Sequence, residues 1–176
     1  VKASMLTDFS RRKERLELLR VKCHEKDASY IFWQQYASEL LCDATSHEEA
    51  HYWIRRLIRS NQHGPAGYGL LSSVAWDAGR RDEALELKRF AACLEPTREN
   101  YAKDYFIAAS NMGLQNEAIQ FLKERFERFG PKSALPGVTL AWAYSNTDRT
   151  TDMFHILTEA MRNRPKDGEL LLCSAE

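Results

Sequence analysis

The residues best spaced for chemistry are His47-Glu48-Glu49-Ala50-His51. On a helix, residues four apart share a face, so the two imidazoles could ligate one zinc ion while Glu48 acts as base, as in a metallopeptidase. Three features weigh against that. No third ligand is assigned, and the longer zinc motif fails at Leu57. Glu48 and Glu49 also suit a helix N-terminus electrostatically, and Ala50 suits close helix packing. Gly64, Gly67 and Gly69 surround Pro65 but follow no strand and lack the Lys-Ser/Thr of a phosphate loop, so they read as a turn. His24, His63 and His155 are isolated, and no serine sits in a nucleophile elbow. The basic run Arg11-Arg12-Lys13 with Arg15 is interrupted by Glu14 and Glu17 and reads as a solvated helix face. Its alternative is a contact to RNA or anionic lipid. No enzyme class gains positive support; the zinc hydrolase and an RNA-binding repeat stand as alternatives.

Composition narrows the field further. Among 176 residues, 44% are hydrophobic and 28% charged, and the formal net charge is zero. A balanced chain lacks the surplus of Lys and Arg that neutralising many phosphates requires, so no nucleic-acid partner is expected. No apolar run approaches the roughly 20 residues that span a bilayer, so no membrane insertion is expected either. Cys23, Cys42, Cys93 and Cys173 are widely spaced among apolar or helix-forming neighbours. Reduced, buried thiols and a cytoplasmic setting are the default expectation, with no cofactor. The start at Val1, without methionine, points to a piece of a longer chain.

The elements that must carry these residues repeat. Ala50, Ala84 and Ala118 fall at steps of 34 residues, as do Gly79 and Gly113, and Pro131 and Pro165; Pro96 lies one residue early. Within the clearest unit, Leu70, Leu71, Val74, Ala75 and Ala78 have helical spacing over 66–78. Gly79 ends that helix, because a left-handed residue costs least as glycine. A second helix begins at Arg81 and Asp82 and carries Ala84, Leu85, Leu87, Ala91, Ala92 and Leu94, until Pro96 stops it. The next unit repeats the plan over 101–112, Gly113, and 116–129, closed by Gly130-Pro131. The aromatic strings Tyr30-Ile31-Phe32-Trp33 and Tyr52-Trp53-Ile54 read as packing between helices.

With Ala84, Ala91, Pro96 and the turn glycine Gly79, the chain resembles the tetratricopeptide repeat (TPR) family over residues 31–166. The resemblance implies an all-α fold: a right-handed superhelix, or α-solenoid, of antiparallel helix pairs with a helical cap at each end. It divides the chain into 31–64, 65–98, 99–132 and 133–166. Residues 1–30 form an N-terminal capping helix or the remnant of an upstream repeat, and 167–176 a C-terminal cap. Departures from the family pattern are Ser38, Ser72, Phe106 and Leu140 at the small slot of the first helices, and Asp152 where the other units carry alanine.

In that family the first helix of each pair lines a concave channel that holds peptides or helices. Carried over, the channel residues are Phe32, Gln35, Glu39, Cys42 and Asp43; Gly69, Ser73, Trp76 and Asp77; Asn100, Lys103, Ile107, Ser110 and Asn111; and Ala141, Tyr144 and Ser145. Trp76 and Tyr144 are candidate anchors, with packing between repeats as the alternative for Trp76. Ile107 turns to the core if the register shifts by one. Glu39, Asp43 and Asp77 would favour a basic ligand segment. The clamp that holds acidic chaperone tails is absent, since its slots carry Gln35, Glu39, Leu70, Asn100 and Asp104. The expected activity is a protein-interaction scaffold that binds a peptide or helical segment of another protein. Self-association through exposed stack ends is left open.

Overall fold

A computed structural model describes residues 2–62, 64–168 and 170, with the side chains of 2–10 and 44 outside the description. Among the described residues there are helices and turns and no strand. The chain divides into two compact units, Val1–Leu87 and Lys88–Glu176, and the division falls inside one helix rather than at a repeat boundary.

Unit 1 begins with α1 (Lys2–His24) and α2 (Tyr30–Leu41), followed by a short 3-10 turn (Ala44–Ser46), α3 (His47–Ser60) and α4 (Pro65–Asp77). Ser29 caps α2 by accepting from the Ile31 N–H, and Pro65 opens α4, where its missing N–H costs nothing. The glycine-rich stretch is therefore mostly helix: Gly64 is the N-cap and Gly67 is buried within α4. Leu19 and Cys23 of α1, Tyr36, Ala37 and Leu40 of α2, Ala50, Trp53 and Ile54 of α3, and Val74 of α4 form one core. Trp53 is its centre, 1% exposed and ringed by His24, Trp33, Tyr36 and Tyr52 at centroid distances of 5.2–6.4 Å. Of the two aromatic strings, Phe32, Trp33, Trp53 and Ile54 pack between helices, whereas Tyr30, Ile31 and Tyr52 are exposed. Burial pushes the Cys23 thiol up to about 11. It also raises the Tyr36 phenol, reinforced by that hydroxyl's 2.9 Å bond to Glu49. Cys42 and Cys93 differ from the expectation of burial: both are exposed. Cys173 and His63 lie outside the described residues.

Helix α5 (Arg81–Leu94) contains the division between units. Unit 2 continues with α6 (Glu99–Asn111), α7 (Gln115–Phe129), α8 (Leu135–Ser145) and α9 (Thr150–Asn163). Its core takes Ala102, Tyr105, Phe106 and Ala109 from α6, Ala118, Ile119, Leu122 and Phe126 from α7, Leu140, Ala143 and Tyr144 from α8, and Leu157 and Ala160 from α9. A charged pair sits within it. Arg125, 5% exposed, donates to Glu99 at 2.7 Å, to the Ala92 carbonyl at 2.9 Å and to the Pro96 carbonyl at 3.1 Å. One side chain thus satisfies carbonyls at and just beyond the C-terminus of α5, which have no partner within the helix. Residues 168 and 170 are helical, and the rest of the expected C-terminal cap, 169 and 171–176, lies outside the described residues.

Candidate protein-binding surface

Which face a first helix presents depends on how it stops. Gly79 takes φ 76°, its N–H bonds the Trp76 carbonyl, and the next N–H, on Arg80, reaches back to Ala75. Gly113 repeats this with φ 76°, Ser110 and Ala109. The fourth turn repeats it again at Asp148, φ 55°, with Ser145 and Tyr144. Asp148 is the only residue other than glycine with a positive φ among those described, and aspartate tolerates this region better than most side chains. It lies 35 residues after Gly113 rather than 34. Everything equated across that step therefore shifts by one residue, about 100° of helix rotation.

The shift corrects two expectations. Tyr144 occupies the slot of Ala75 and Ala109, both fully buried, and is itself 2% exposed. The Lys123 ammonium and the Arg149 guanidinium lie over its ring at 6.0 and 4.7 Å. It is a core residue and offers no ring face to a ligand. Counted from the turns, the equivalent of Ala84 and Ala118 is Met153, not Asp152; Asp152 instead pairs with Arg149 at the start of α9.

The remaining candidates fall into two sets, one on each unit. In unit 1, Gln35 and Asp77 are exposed, and Ser73 donates to the Gly69 carbonyl at 3.3 Å. Trp76 is half-buried with the Arg81 guanidinium 5.6 Å above it. The two other carboxylates expected to attract a basic ligand are already occupied. Glu39 pairs with Arg12 and Arg15 of α1, and Arg12 also donates to the Glu39 carbonyl. This also assigns part of the basic run, which binds α2 rather than projecting wholly into solvent. Asp43 accepts from the Thr45 N–H and hydroxyl at 3.0 and 2.8 Å, which holds its carboxyl below the usual carboxylate range.

In unit 2, Asn100 and Asn111 are exposed on α6. Lys103 extends its ammonium to 5.5 Å above the ring of Trp142 on α8, and Trp142 meets Phe106 edge-to-face at 5.5 Å. One turn beyond Lys103, Ile107 is 47% exposed rather than turned inward. Leu135 is 37% exposed at the start of α8. Trp142 and Leu135 were missed by the transferred slots. The signal for Trp142 was present: corrected for the one-residue step, it is the equivalent of Ile107 and Ser73.

Among the described residues no group of three His, Cys, Asp or Glu side chains is placed to hold a metal ion, and no helix is long and apolar enough to cross a membrane. In the His47–His51 string, Ala50 is buried and Glu49 is committed to Tyr36, leaving Glu48 and the histidines at the surface of α3.

The sequence matches no known family model and no characterised relative. Among solved structures, the chain is similar to TTC0263, a thermophilic TPR protein of Thermus thermophilus. The two are 17% identical, with 98% of this chain and 93% of that one covered at a TM-score of 0.55. It is similar also to MamA, at 11% identity, 94% of each chain and a TM-score of 0.51. The chain has a TPR fold. Helices α2 and α3, α6 and α7, and α8 and α9 pack as consecutive pairs, and left-handed turns at Gly79, Gly113 and Asp148 end α4, α6 and α8. In the first pair the 3-10 turn, capped by Asp43, stands in place of a left-handed residue.

Proposed function

We propose that this chain is a protein-interaction module that captures an amphipathic segment of a partner on the exposed faces of its first helices. The observation that carries the proposal is the ledge on α6 and α8 of unit 2, where half-exposed Ile107, Trp142 and Lys103 share a surface. A tryptophan held by an edge-to-face neighbour brings large contact area with little entropy left to lose. Lys103 adds a cation at the rim that would meet a carboxylate on the partner. In unit 1, Trp76 and Asp77 form the corresponding end of α4, where Asp77 would meet a basic group. The helix interiors are filled by packing, and the exposed aromatic and charged side chains on the first helices support a binding role.

The test is selection of binding peptides from a displayed random library, then titration of the winners. Ile107→Glu should weaken capture of peptides that dock on unit 2, and Trp76→Ala and Asp77→Lys that of peptides that dock on unit 1, by roughly tenfold or more, the range of a central interface anchor, with helical circular dichroism unchanged. Retention of full affinity in all three variants would remove this surface from consideration.

A further inference from the structure

The string His47–His51 leaves a residue that the interaction surface does not use, and it leads to a second site. On α3, His51, Arg55 and Arg59 form one row at spacings of four, and Glu48, Tyr52 and Arg56 form the adjacent row. These six residues line a shallow cavity of about 520 Å³ on unit 1. It holds three guanidinium groups against one carboxylate. Among the described residues, Arg55, Arg56 and Arg59 have no carboxylate within ion-pair distance; several other arginines share that, but only these three line one cavity together.

The cluster is also held in place. The Arg56 guanidinium stacks over Trp33 at 4.6 Å and Trp53 at 5.4 Å and donates to the Tyr52 hydroxyl at 3.5 Å. Trp53 is the buried centre of the core, so this arginine rests on the most deeply buried ring of that core while its own edge stays exposed. A guanidinium ordered in advance loses little entropy when a carboxylate docks on it.

From this geometry we infer that the outer face of α3 is a second docking site, specific for an acidic peptide segment of another protein. Residues four apart on a helix are about 6 Å apart along its axis. Alternate side chains of an extended chain, which share one face, are separated by about 6.6–6.8 Å. The row His51–Arg55–Arg59 therefore matches an extended segment with an acid at every second position. Tyr52, 57% exposed, offers an apolar surface beside it. The row spans only two helical turns on a chain with no net charge, which suits a short peptide better than a phosphate backbone whose binding draws on many cations.

The full chain is titrated with a short labelled peptide carrying Glu at every second position, and with the same peptide carrying Gln. The Glu peptide should bind at least several-fold tighter, and Arg55→Glu with Arg59→Glu should weaken it by roughly tenfold, replacing two attractions by repulsions. Neither arginine is a core residue, and circular dichroism checks that the double variant stays folded. Asp77→Lys should leave this binding unchanged, which separates failure here from failure of the surface on the first helices. Equal affinity for the Glu and Gln peptides, or retention by the double variant, would overturn the inference. So would displacement of the peptide by a single-stranded RNA of equal charge at physiological salt, or self-association that the double variant abolishes. Those two results would assign the arginines to nucleic acid or to a second copy of the chain.

Discussion

Both units place arginine against aromatic rings, and they do it in opposite senses. In unit 1 the ring is buried and the cation is outside: Trp53 is 1% exposed, and Arg56 covers it from the solvent side. In unit 2 the cation is buried. Arg125 is 5% exposed between Phe121 and Phe129, its guanidinium engaged by Glu99 and two backbone carbonyls. The difference shows how one pair of residue types produces either a binding group or a structural tie. A guanidinium stacked at the surface keeps its in-plane donors free for a ligand, whereas one inside spends most of them on the fold. The proposed binding groups are distributed accordingly, with Trp142 and Ile107 on unit 2 and the arginine row beside exposed Tyr52 on unit 1.

Breaking each tie tests the comparison. Arg125→Ala should have the largest effect, about 3–5 kcal/mol of unfolding free energy, because it strands a buried Glu99 and leaves two carbonyls without their donor. Among the described residues, one Glu99 oxygen and the Arg125 Nε have no hydrogen-bond partner even in the intact pair. Replacing both residues together, as Arg125→Met with Glu99→Leu, should therefore cost much less than the single change. Urea titration of the two variants measures this, and equal losses would mean the pair is not coupled. Trp53→Ala should cost about 3–5 kcal/mol by cavity formation and should also release Arg56. Acidic-peptide binding should then weaken at temperatures where the variant is still folded, whereas Arg125→Ala should not affect it.

A titration sharpens the contrast between the cores. Cys23 has its pKa raised from 9.0 to about 11, chiefly by burial, so the folded state favours the neutral thiol. The stability this contributes is complete below pH 9 and is lost as pH rises from about 9 to 11. Tyr36 changes in the same direction at higher pH. The urea midpoint should fall across that window in the wild type. In Cys23→Ala it should start lower, because of the cavity, and fall less steeply. Parallel curves would show that the thiol does not titrate with unfolding.

The smallest effects concern the turns. A Cβ built on Gly79 or Gly113 meets nothing within 4 Å, so the cost of Gly→Ala at either is purely that of the left-handed backbone, about 1–2 kcal/mol. Asp148 already bears that strain, and Asp148→Gly should stabilise by a few tenths of a kcal/mol, the relief being partly offset by a more flexible unfolded chain. Destabilisation by Asp148→Gly would indicate that its side chain holds the turn.

The sequence by itself determined what local rules control: the helices, their stops at Gly79 and Gly113, the repeat, and the packing role of Phe32, Trp33, Trp53 and Ile54. Those follow from side-chain period and backbone freedom, which neighbours in the chain set. Only the tertiary structure decided which exposed residues are free. Glu39 is a free carboxylate by its slot, yet Arg12 and Arg15 reach it from α1 across more than twenty intervening residues. Tyr144 is an anchor by the 34-residue count and a core residue in the fold, because a left-handed Asp148 lengthens one step by a single residue. The same step puts Trp142, rather than Ala141, in the slot of Ser73 and Ile107. A period read along the chain does not reveal a one-residue insertion when the inserted turn uses aspartate instead of glycine, and on a helix one residue is enough to turn a side chain from the outside to the inside.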